Sequence, residues 1–176
     1  MPSNCGWRST VSAVVIMAGC LAPAPLVAQD GNPASGPFAS LIGWWSGEGR
    51  LGFKEGQIET VRCRATYLAG ATANALDQTI RCAAASGAIE VKATVVENDG
   101  KLTGTWSERL HDISGDITGE ITPRGFKVRI ASSRLTAGMD IAVRSDRQIV
   151  EIQFHDSTLV GLTLMLQKGA ASRPPA

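Results

Sequence analysis

Between Trp44 and Leu166 run after run of apolar and polar residues alternates with a period of two, and ahead of them a short turn near Phe38 to Ile42 is the one segment that reads toward a helix. Successive side chains of an extended chain point to opposite faces, so each strand must bury one set and wet the other. Trp45, Gly47, Gly49, Leu51 and Phe53 form the expected inner face of a first strand, with Trp44, Ser46, Glu48, Arg50 and Gly52 outside. Ile89, Val91, Ala93 and Val95 repeat the pattern, and Asn98-Asp99-Gly100 supplies a hairpin turn into Leu102, Gly104 and Trp106. Ile113 to Ile121 follow, and Pro123 and Gly125 mark the next turn. Inner faces are then expected at Phe126, Val128 and Ile130; Met139, Ile141 and Val143; Val150, Ile152 and Phe154; and Val160, Leu162, Leu164 and Leu166. About ten strands with short connections predict an all-β fold, an antiparallel up-and-down meander closed into a barrel or folded into a sandwich.

The strand registers can be written down. With His111 in a turn, residues whose numbers sum to 221 pair, which sets Trp106 opposite Gly115, Gly104 opposite Ile117 and Leu102 opposite Gly119. Pairing across Asp99-Gly100 places Ala93 on the other side of Trp106. Large side chains then lie over small ones, which fills space while the sheet curves. The inward glycines are read first as curvature and packing, and second as room for a ligand.

Two further runs, Thr60 to Tyr67 and Leu76 to Cys82, flank the small, polar Gly70 to Asn74 and predict a hairpin in which Cys63 faces Cys82. Directly opposed residues of an antiparallel pair fall within disulfide reach, so a Cys63–Cys82 disulfide is expected. The compartment must then be oxidising. At the N-terminus, Arg8, the apolar Val11 to Leu21 and Leu26-Val27-Ala28 have the layout of a secretory signal covering residues 1–28. Gly19, Pro23 and Pro25 interrupt the apolar run, which is shorter than the ~20 residues that cross a bilayer, so no transmembrane span is expected. The alternative is a lipoprotein anchored at Cys20, because Met17-Ala18-Gly19-Cys20 resembles a lipobox. Either way the protein is expected in the periplasm or secreted. Flexible segments are expected at 29–36 and 169–176, leaving one β-barrel domain over 37–168.

Charge narrows the partners. The chain has 17 basic and 16 acidic residues, and Met1 to Ala28 contain only Arg8, so the remainder holds 16 of each. Nucleic-acid binding needs a basic face that displaces counterions, and no such clustering is present.

The segment Pro37-Phe38-Ala39-Ser40-Leu41-Ile42-Gly43-Trp44-Trp45 resembles the opening of the lipocalins and their relatives, the calycins, with Gly43 and Trp45 filling the Gly-x-Trp motif. Gly104-Thr105-Trp106 is similar to it a second time. The resemblance implies a closed calycin-like barrel whose tryptophan seals one end around a small apolar ligand. Fatty-acid-binding proteins, avidins, nitrobindins and some bacterial protease inhibitors belong to this group. The family's last-strand arginine, which packs across the tryptophan, has no counterpart here, Lys168 being the only cation between Leu162 and Gly169. The runs Val61 to Tyr67 and Gly104 to Glu108 also resemble small exported bacterial proteins of unassigned function.

Reactive chemistry is sparse. His111 and His155 are each followed by aspartate near a strand end, as solvated turn residues are, and two histidines cannot make a three-histidine zinc site. Resemblance to the nitrobindins makes His155 a candidate axial haem ligand, but neither a cofactor nor a metal is expected. His155, Asp156 and Ser157 are contiguous, whereas a triad is a spatial arrangement. Glu48, Glu59, Glu90, Asp116 and Glu120 fall on outer faces, where solvent is expected to leave them unperturbed. The chain is accordingly read as not an enzyme. Two functions compete: a carrier or sensor of a small hydrophobic ligand, with Trp45, Tyr67 and Trp106 lining one end of the barrel, and a module that binds an exported protein partner through a loop, Trp44 or the N-terminal tail.

Overall fold

A computed structural model describes residues 36–155 and 157–169. The expected signal segment 1–28, the expected flexible segments 29–36 apart from Gly36 and 169–176 apart from Gly169, and Asp156 lie outside the described residues.

Ten strands follow one another: β1 (Gly43–Phe53), β2 (Ile58–Ala69), β3 (Ala75–Ala84), β4 (Gly87–Asn98), β5 (Lys101–Glu108), β6 (Ile113–Thr122), β7 (Gly125–Ala131), β8 (Thr136–Arg144), β9 (Arg147–His155) and β10 (Leu159–Lys168). Each pairs antiparallel with its chain neighbours, and β1 pairs with β10 to close the barrel. Of the two expected architectures, the barrel is the one formed. Closure leaves no strand edge unpaired, which removes the usual template for aggregation.

Local chemistry sets the turns. Asp99 and Gly100 both have positive φ, 50° and 78°, as the hairpin turn whose twist matches its flanking strands requires. Trp106 lies opposite both Ala93 and Gly115, and Leu102 opposite Gly119, so the expected registers are found. Cys63 faces Cys82 with Cα atoms 4.1 Å apart, and the two are joined by a disulfide.

The inward glycines serve close approach between backbones. A β-carbon at Gly47 would run into the carbonyl of Met165, and one at Gly115 into that of Ala131. One expected orientation is reversed. Val160 was placed inside with Leu162, Leu164 and Leu166, yet it is 52% exposed. Gly52 pairs with Gly161 while Phe53 pairs with Leu159, so a bulge opposite Gly52 and Phe53 inserts Val160 and turns it outward.

A turn over 36–41 precedes β1, with Leu41 N–H donating to Phe38 C=O at 2.8 Å. It buries Phe38 and Leu41 in the core and stacks Phe38 on Phe126 with ring centroids 5.6 Å apart. The short N-terminal turn expected from the sequence thus closes part of the barrel interior.

Candidate functional site

Inner faces of all strands but β1 border an interior cavity of about 200 Å³. Leu76, Val95, Leu102, Ile117 and Leu164 are typical of its wall, and Phe38 and Leu41 reach it from the N-terminal turn. No charged side chain borders it among the described residues, and its polar atoms come from Tyr67, Gln78 and Trp106. These three share one cross-strand row, in which Tyr67 pairs with Gln78, Gln78 with Ala93, and Ala93 with Trp106. A row of this kind places inward side chains side by side on neighbouring strands about 4.8 Å apart.

The three aromatic residues expected to line one end are therefore not equivalent. Tyr67 and Trp106 border the cavity, whereas Trp45 packs behind Tyr67, edge to face at 6.5 Å between centroids. The Trp45 indole donates to Leu41 C=O at 2.6 Å, which ties the N-terminal turn to β1. Lys168, at the end of β10, holds its ammonium 5.3 Å from the Trp45 ring centroid and donates to Ser40 C=O at 3.2 Å. The expectation that nothing would replace the family's arginine is thus corrected. Attraction to the ring face needs only a cation in place, and lysine provides one.

Tyr67 is fully enclosed. Gln148, on β9, is buried beside it, with Nε2 donating to the Tyr67 hydroxyl at 3.0 Å and Oε1 lying 3.3 Å from the same oxygen. Burial raises the phenol to about 12, against a smaller opposing effect of the hydrogen bond with Gln148, so the hydroxyl stays protonated at any physiological pH. Trp106 differs in its satisfaction. It is 6% exposed, and its buried Nε1 has no hydrogen-bond partner.

Sequence reasoning missed Gln148 and Glu108. Both occupy inward positions by the same alternation, Gln148 two residues before Val150 and Glu108 two after Trp106, and a polar residue at such a position is the signal that could have found them. Glu108 accepts from the backbone N–H groups of Glu90, Leu110 and His111 and lies 2.7 Å from His111 Nδ1, organising the turn between β5 and β6.

Other expected residues fall away from the cavity. His155 ends β9 on its outer face and does not border the interior, so it does not fit an axial haem ligand there. Trp44 is partly exposed on the outer face of β1. The outer carboxylates are not all unperturbed. Hydrogen bonds from Arg81 at 2.6 Å and Lys101 at 2.8 Å hold Glu90 and Glu120, respectively, below the usual carboxylate range.

No protein-family model matches the chain, and no curated protein matches it. Solved structures do. Rv2717c from M. tuberculosis superposes with a TM-score of 0.64 at 13% identity, covering 76% of this chain and 95% of that one. The S-type phycobiliprotein lyase CPES from Guillardia theta gives 0.57 at 11% identity, covering 77% and 92%. The likeness is one of fold, an antiparallel β-barrel. This comparison overturns the expectation that the chain is not an enzyme. The same barrel occurs in a protein that is by name a lyase, so the architecture gives no ground for excluding catalysis.

Proposed function

We propose that the protein is exported and that its barrel takes up a small, mainly apolar molecule, with Tyr67 and Trp106 in contact with it and Trp45 supporting Tyr67 from behind. The observation that carries this reading is the interior cavity of about 200 Å³ with no charged side chain on its wall. For scale, an engineered apolar cavity of about 150 Å³ stays dry and binds benzene. A molecule with several polar groups would leave most of them unpaired here, at about 1–3 kcal/mol each. The likeness to a phycobiliprotein lyase supports a barrel that handles a small ligand. Export rests on the signal-like segment 1–28 and agrees with the Cys63–Cys82 disulfide.

Titration with ethylbenzene, followed by tryptophan fluorescence, tests the ligand reading. Saturable one-to-one binding is expected in the micromolar to low millimolar range. Ala93→Leu, which fills the wall beside Trp106, should abolish it while leaving the strand signature in circular dichroism intact. Absence of binding by the wild type, or full binding by the filled variant, would refute the reading.

A further inference from the structure

We infer that the molecule held in the cavity is uncharged and carries one hydrogen-bond acceptor, such as a ketone or ester oxygen, that meets Trp106 Nε1. The inference rests on the cavity being the binding site and adds the chemical class of the occupant. An indole nitrogen can only donate, and a buried donor without a partner is costly, so its native arrangement asks for an acceptor. Trp106 Nε1 is that case, being the one described side-chain nitrogen or oxygen atom that is buried and unpartnered. Its neighbours do not supply an acceptor. Ala93 on one side and Gly115 on the other have none in their side chains.

Elsewhere in the row Gln78 is only partly buried, so it is not held dry as the Trp106 indole is, and Tyr67 already has a partner. Tyr67 and Gln148 satisfy one another, with Gln148 Nε2 donating to the hydroxyl at 3.0 Å. The Trp106 N–H, buried and without a partner, is therefore the point at which an otherwise apolar occupant would be oriented. Charge is excluded by the wall. A carboxylate would need a cation or several donors to offset its desolvation. The cavity borders no cation among the described residues, and Lys168 is engaged by the Trp45 ring and Ser40 C=O.

Three probes of similar size separate the possibilities: ethylbenzene with no acceptor, acetophenone with a neutral one, and benzoate with a charged one. Calorimetric affinities for the full-length mature protein are compared with those for Trp106→Phe, which keeps an aromatic ring and removes the N–H. The ratio of acetophenone to ethylbenzene affinity is expected to fall about fivefold or more in Trp106→Phe, the worth of one hydrogen bond, and differences in probe solubility cancel in that ratio. Benzoate at neutral pH should bind at least about tenfold more weakly than acetophenone. The infrared carbonyl stretch of bound acetophenone should shift to lower frequency in the wild type, a readout that needs no variant if Trp106→Phe does not fold. An unchanged ratio together with an unshifted carbonyl would mean that water satisfies the indole, and would overturn the inference while ethylbenzene binding left the cavity reading standing. Benzoate binding as well as acetophenone would overturn the uncharged class. Failure of ethylbenzene and acetophenone alike would instead sink the cavity reading itself.

Discussion

Glu108 shows how a single side chain can hold a turn and set a pH limit. It is 6% exposed, and burial alone would raise its carboxyl, but hydrogen bonds from Leu110 and His111, with a further one from Glu90, outweigh burial and bring it down to about 2. An unfolded glutamate titrates near 4.3, so the folded state holds the proton less tightly. The stabilisation from Glu108 is therefore fully present above about pH 4.3 and is lost as pH falls toward 2. Thermal denaturation across that interval should show the wild type losing stability with acid and Glu108→Gln responding less steeply. At pH 7 the variant should be less stable by about 1–3 kcal/mol, since an amide sets its own N–H groups against backbone donors. Identical pH profiles would show that the carboxylate does not anchor the turn. Alternation identified Tyr67 and Trp106 as inward residues but could not rank them. Which of them touches open space depends on the stacking of Trp45 behind Tyr67, a contact between strands that no single strand's pattern records.

Among the elements, the β2–β3 hairpin was the most legible, because a short polar connection fixes which residues face each other and two cysteines fell in register. The turn at Asp99-Gly100 was legible for the same reason. Closure between β1 and β10 was not, since no turn links them and their register follows from the curvature of the whole sheet. Val160 belongs to the same problem: the alternation of β10 continues past it, and only pairing with Phe53 reveals the bulge. The disulfide closes a loop across 19 positions of sequence, and such a link is worth about 3 kcal/mol in the chain-entropy account. Protein recovered from the periplasm should have an intact mass that starts at Gln29, with Cys63 and Cys82 joined, and reduction should lower its denaturant midpoint accordingly. A lipid adduct on Cys20 would overturn cleavage after Ala28. An unchanged midpoint after complete reduction would show that the disulfide carries no stability.

For the whole molecule, one architecture explains both the stability of the interior and its cavity. The ten strands surround more volume than their inward side chains fill, while at Gly47 and Gly115 neighbouring backbone takes the place a β-carbon would need. The sequence alone separated the packing role of these glycines from the cavity only by preference, as the volume left over is a property of the closed barrel. On the proposed function the interior, and not the outer face, receives the ligand. Methyl-selective NMR during titration with acetophenone tests it most directly. Saturable shifts at Leu102, Ile117 and Leu164, which border the cavity, with the exposed Ile58, Val160 and Met165 unmoved, are the predicted result. Shifts confined to those outer methyls, with the inner three unchanged at saturation, would contradict it.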